Sequence, residues 1–173
     1  GATCGAQRSL PTTGSGSVNF SIATDRSDLW VSDEVRVNVS LASLNAAAAD
    51  SSALGGFDLL LNVDPARLSV KRIEINPALG KVIPLGPQTQ GSTISVGLYG
   101  LPVNLPAGTQ LATLVLRGSG VGSTTISVAA TNAVDGAGRL ISANATGSGA
   151  VKVDGHQMWL PVVKQWIGRS ASS

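Results

Sequence analysis

Between Gly55 and Val70 the residues Phe57, Leu59, Leu61 and Val63 alternate with Asp58, Leu60 and Asn62. A period of two places the first set on one side of an extended strand, so that side is wholly apolar and needs a core to pack on. Asp64-Pro65 then stops the run: proline fixes φ, has no N–H to donate, and drives the residue before it into extended or turn backbone. Leu68 and Val70 resume the pattern. Two apolar strands about an Asp-Pro turn read as a hairpin, and a hairpin with one apolar face reads as part of a β-sandwich.

The rest of the chain repeats this grammar. Val18, Phe20 and Ile22 make a first short strand, and Val35, Val37, Val39 and Leu41 alternate with outward Glu34, Arg36, Asn38 and Ser40. After Val70 the phase breaks at Lys71 and Arg72 before Ile73 and Ile75, which predicts a β-bulge, since one extra residue flips the facing of the residues beyond it. Residues 76–91 hold three prolines and read as an irregular connection. Ile94, Val96 and Leu98 alternate again. Residues 109–117 are apolar on both faces, as a central strand requires, and Ile126 and Val128 come next. A turn at Asp135 to Gly138 precedes closing strands at 140–143 and 149–153. The count is about nine strands, an all-β sandwich over residues 18–153. Residues 46–49 are four alanines, too few to form a helix alone. Residues 1–17, rich in Gly, Ser and Thr, read as an arm, and 154–173 as a tail.

Composition removes several classes of function. Only 13% of the 173 residues are charged, the net charge of +2 is scattered, and no basic stripe suggests a nucleic-acid partner. No run approaches the ~20 apolar residues of a membrane helix. The expected location is outside the cell or on its surface, with the chain as the processed form of a secreted protein. The single cysteine, Cys4, has no partner within the chain, and is either free or bonded to another molecule.

Beyond the sandwich, residues 157–167 are the most hydrophobic run and hold Trp159 and Trp166, two of the three tryptophans. Burying Trp159, Leu160, Val162 and Val163 stabilises by roughly 1.5–3 kcal/mol each. Ordering the backbone costs about 1–2 kcal/mol per residue. The two nearly cancel. Such a segment stays ordered only with backbone pairing at a sheet edge, on its own domain or another's. Met158, Trp159, Leu160, Val162, Val163, Trp166 and Ile167 are therefore the expected assembly interface.

With the strands laid out, the chain resembles the cohesin modules of bacterial and archaeal surface proteins. Residues 56–70 are similar to that family's G-x-D strand and D-P-x-x-L-x-V turn, with Val63 where an aromatic residue is usual. Gly108 through Leu116 is similar to its G-x-L-A-x-L strand, and Asp135 through Val153 to its closing D-x-x-G hairpin. The resemblance covers about 18–153. It implies a nine-stranded jelly roll that binds other proteins outside the cell, in that family a dockerin through one sheet face.

Chemistry is sparse. Catalysis needs a nucleophile with a base, or paired acids. The one histidine, His156, comes after the last strand, and the carboxylates sit mostly in turns, so the chain reads as a non-enzyme with no required cofactor. Calcium is the metal best suited to turn carboxylates, with Asp25, Asp28, Asp33 and Asp135 as candidates against a plain turn-capping role. Asn19, Asn38 and Asn144 head glycosylation sequons. Trp30 and Tyr99 are the rings within the domain that suit a sugar.

Three functions are expected on these grounds. The first is an extracellular structural subunit that self-assembles with copies of itself into a filament, tube or surface layer by exchanging its tail strand. The alternative is a cohesin-like module that captures another surface protein of dockerin type. The third is a glycan-binding sandwich.

Overall fold

The computed structural model describes residues 13–45, 54–102 and 104–155. Cys4, His156 and the expected interface from Met158 to Ile167 lie outside them. The strands are β1 (Thr13–Thr24), β2 (Asp28–Trp30), β3 (Glu34–Asn45), β4 (Leu54–Asn62), β5 (Leu68–Ile75), β6 (Ile83–Gln90), β7 (Thr93–Tyr99), β8 (Gln110–Gly118), β9 (Gly122–Asp135), β10 (Leu140–Thr146) and β11 (Ser148–Asp154). One short 3-10 turn, Pro77–Leu79, lies between β5 and β6.

Hydrogen bonding follows one path, β5-β8-β3-β1-β10-β9-β4-β7-β6, with β11 beside β9 and β2 beyond it. The path doubles over at β10–β9, so that the β5-β8-β3-β1 half faces the β9-β4-β7-β6 half. The expected core residues of β3, β4, β7 and β8 fill the space between, each nearly or wholly buried. Phe20 of β1 meets Phe57 of β4 across the gap, ring centroids 4.6 Å apart. This is the all-β jelly-roll sandwich expected from the sequence.

Three local details differ. Eleven strands are present among the described residues rather than nine, because β2 lies in the polar turn after β1 and β6 lies in the segment read as irregular. β6 needs no apolar alternation, being an outer strand exposed along nearly its whole length. β1 begins at Thr13, inside the stretch read as an arm.

The third difference concerns the opening stretch. β4 and β5 are not a hairpin: β4 pairs with β7 and β9, whereas β5 pairs with β8. Asp64-Pro65 is instead a corner that carries the chain from one half to the other. Asp64 closes it by accepting bonds from the Arg67 and Leu68 amides at its carbonyl and from the Ala66 amide at Oδ1, 2.9 Å away. Both strands point their apolar residues at one core, so the pattern is the same for either geometry.

The bulge after Val70 is present, with the β5–β8 register shifting between Val70 and Arg72. Its effect is specific. Val70 pairs with inward Leu116, but Arg72 pairs with Val115 and Glu74 with Thr113, on the outer side. Without Lys71 as the extra residue, Arg72 and Glu74 would continue the phase of Leu68 and enter the core.

Candidate functional site

Two broad sheet faces look outward, and they differ in how their side chains are satisfied. On the β5-β8-β3 face, Arg72 pairs with Glu74 (2.9 Å) and Glu34 (3.4 Å), and Arg36 pairs with Glu74 (3.4 Å). This alternating quartet surrounds Val115, the residue opposite both arginines in the ladder, which is fully buried although it points away from the core. The arginine stems cover it. Beside the quartet, Asn38 Oδ1 accepts from Gln110 Nε2 (3.0 Å) and Thr113 Oγ1 (2.8 Å). The face is charged but internally paired.

The β9-β4-β7-β6 face is built otherwise. Directly opposed residues of antiparallel strands share a face, and the register gives four rows across it. Val134, Gly56, Tyr99 and Ile83 form one; Asn132, Asp58, Gly97 and Leu85 the next; Ala130, Leu60, Ser95 and Gln88 the third; Ser127, Asn62, Thr93 and Gln90 the last. Ile83 and Leu85 are 63% and 47% exposed, among the few large apolar side chains of the described residues left so open.

Glycines shape the centre. The ring of Tyr99 lies against Gly56, and a Cβ on Gly97 would come within 2.7 Å of the Phe57 carbonyl oxygen. Tyr99 and Asp58 thus lie towards the centre of the face, with Ile83 and Leu85 along its β6 rim. Asn132 Nδ2 donates to Asp58 Oδ1 (3.1 Å) and Asn62 Nδ2 to Ser127 Oγ (3.2 Å). Burial, and then the Asp58 carboxylate with which it shares a hydrogen bond, push the Tyr99 phenol above its ordinary value. Exposed apolar side chains bordered by fixed polar groups are the make-up of a protein-docking patch.

Three of the four carboxylates considered for calcium are otherwise engaged. Asp135 is 3% exposed, and its Oδ1 accepts from the amides of Ala137 (3.0 Å) and Arg139 (2.9 Å), its Oδ2 from Arg139 Nε (3.0 Å). Burial pulls its pKa up, but those bonds and the Arg139 charge outweigh that and leave it lowered. Asp25 Oδ1 accepts from the Arg36 amide and Asp33 Oδ2 from the Trp30 amide, while Asp28 stands exposed at the start of β2. Among the described residues no group of three His, Cys, Asp or Glu is placed to hold a metal ion.

The remaining candidates are scattered. Trp30 on β2 and Tyr99 on β7 are separated by β11, β9 and β4, so the two rings do not form one platform. Asn144 is exposed on β10; Asn19, its register partner on β1, donates to Ser43 Oγ (2.8 Å).

No family model matches the sequence, and no curated protein is similar to it in sequence. Solved structures are similar in fold. A cohesin module from a Clostridium perfringens family 33 glycoside hydrolase superposes with a TM-score of 0.65 at 12% identity, over 80% of this chain and 98% of that one. The chain has a cohesin-like fold. A non-cellulosomal cohesin from the archaeon Archaeoglobus fulgidus gives 0.54 at 13% identity, over 81% and 91%. A type I cohesin–dockerin complex from Clostridium thermocellum gives 0.52 at 18%, over 85% and 97%. No helix of the described residues is long and apolar enough to cross a membrane.

Proposed function

We propose that this domain is a non-enzymatic, cohesin-like protein-binding module that acts outside the cell. It docks a dockerin-type partner on the β9-β4-β7-β6 face. The observation that carries this reading is the exposure of Ile83 and Leu85 beside Tyr99 and Leu60. The opposite face supports it by contrast, since its charges already satisfy one another. Ile83, Leu85 and Leu60 supply apolar contact, and Asp58, fixed by Asn132 and Tyr99, supplies a directional acceptor.

This reading replaces the filament as the preferred one. The fold likeness is to cohesins, one of them solved with a dockerin and another with a Cel5 dockerin, which favours capture of a different protein over a homopolymer. The tail exchange that motivated the filament rests on residues outside the described sandwich.

Titration of the full chain against a panel of recombinant dockerin modules tests the proposal. At least one module is expected to bind with a micromolar or tighter Kd, and Leu60→Glu to weaken it more than tenfold with the melting temperature unchanged. Silence across the panel, or binding indifferent to Leu60→Glu, overturns it.

A further inference from the structure

The sandwich is sealed on one side and open on the other. At the sealed side β10 joins β9, pairing Leu140 with Val134 and Ile141 with Ala133. At the other, β5 and β6 end the two halves without pairing to each other. Of the core-facing residues of β5, Leu68 is buried but Val70, Ile73 and Ile75 are only half-buried, whereas those of neighbouring β8 are buried. Thr89 of β6 faces the core side, opposite buried Ile94, yet is exposed. Between these strands lies a cleft of about 180 Å³ lined by Val63, Pro65, Leu68, Val70, Thr89 and Ile94. That is near the ~150 Å³ of a cavity that admits a benzene ring.

The described chain leaves the domain at the same end. The Val31 amide donates to the Asp154 carbonyl, the Ser32 amide to that of Gly118, and Gly118 pairs with Leu68 at the start of β5. Gly155 is therefore only a few strand spacings from the cleft, each about 4.8 Å. Five residues of extended chain, Gly155 to Leu160, reach at most ~17 Å. In sequence, Gly155 leads into the apolar run that holds Trp159, Leu160, Val162 and Val163.

We propose that the chain's own segment 157–167 closes this open side. It adds as a strand along the outer edge of β5, parallel to it because it arrives from the Leu68 end, and sets an apolar side chain into the cleft. β5 is the accepting edge rather than β6: β6 carries Pro84 and Pro87, which have no N–H, and β5 has no proline. The added strand pairs over residues 68–70, ahead of the bulge at Lys71. The apolar tail gains the backbone partners it otherwise lacks, and the half-buried side of the core gains its cover. The docking face on β9-β4-β7-β6 stays free, so this inference stands apart from the proposed function.

Hydrogen exchange on the full chain, at a concentration where it sediments as a monomer, tests the docking. Within 157–167, the amides that pair with residues 68–70 are expected to exchange at least tenfold more slowly than those of 170–173. Val70→Asp, which puts a charge in the cleft, removes that protection while β4 and β8 keep theirs. Thr89→Arg blocks the same cleft from an exposed position, where an effect on folding is not at issue, and has the same effect. Exchange of 157–167 at the rate of the last residues overturns the proposal. So does protection that survives Thr89→Arg, or that appears only as the protein dimerises.

Discussion

The ring of Tyr99 lies over Gly56, so close that a Cβ on Gly56 would overlap its Cδ2 and Cε2 atoms. The glycine's missing side chain is what lets the ring lie over β4 on the β9-β4-β7-β6 face. Gly56→Ala is expected to swing Tyr99 out or strain the β4–β7 pair, at about 1–3 kcal/mol for overpacking. That lowers the melting temperature by several degrees, since ~1 kcal/mol shifts a domain of this size by roughly 2–4 °C. Calorimetry reads the loss of stability, and titration with a dockerin module that binds the wild-type chain reads any loss of affinity.

Tyr99 is the single tyrosine of the chain, so an ultraviolet titration reads it alone. Its phenol titrates above the ordinary value of 10.0 because of burial first and Asp58 second. Asp58→Asn removes the charge and should move the titration down, though not all the way. The shift also fixes a sign for stability. The unfolded chain loses the proton near pH 10 while the folded one keeps it, so this contribution is present below pH 10 and falls away as pH rises through the folded value. The alkaline arm of the unfolding curve is expected to flatten in Asp58→Asn.

Asp135 gives the opposite arm. Its carboxyl is held below the ordinary 3.8 by two amides and Arg139, against its burial. Its contribution is whole above pH 3.8 and is lost as pH falls through the folded value. Asp135→Asn should be less stable at neutral pH and lose less of its remaining stability on acidification. Denaturant melts at about pH 7 and about pH 3 compare the two. Calcium should leave the wild-type melt unchanged at neutral pH, and a calcium-dependent rise that Asp135→Asn abolishes would instead make Asp135 a ligand.

Val115 and the charges above it separate packing from pairing. Exposed ion pairs contribute about 0–1 kcal/mol. Two buried methyl groups are worth roughly 0.8 kcal/mol each. Val115→Ala is therefore expected to destabilise more than Glu74→Gln, and only Glu74→Gln to narrow its difference from wild type in high salt. Urea melts with and without salt read both.

Much of the sandwich was legible in the chain because alternation reports which side of a strand is buried. The bulge at Lys71 was legible for the same reason: Val70 and Ile73 cannot share a side without an extra residue. The Asp64 corner was not, because a hairpin and a crossing between sheets demand the same apolar pattern. The make-up of the β9-β4-β7-β6 face was harder still. Asp58 and Asn62 read as outward strand positions, and they are, but the rows that join them to Tyr99 and Leu85 exist only through the register of four strands. β6, which supplies the rim, has two prolines and no apolar alternation, so its pairing shows only once β7 is beside it. The charged quartet did leave a trace, since Glu34 and Arg36, and Arg72 and Glu74, are each spaced by two.

Gly147 marks where one long strand changes partners. Before it, β10 runs beside β1 in parallel; after it, β11 runs against β9, and a Cβ on Gly147 would run into the Ile22 carbonyl oxygen. Since Thr13 pairs with Leu140 and Asp154 lies at the far end of the same run, the sandwich is entered at one pole and left at the other. Tension applied through the two ends acts along the strands. The β1–β3, β1–β10 and β9–β11 ladders would have to slide as whole sets of bonds, because nothing in that geometry peels them one by one.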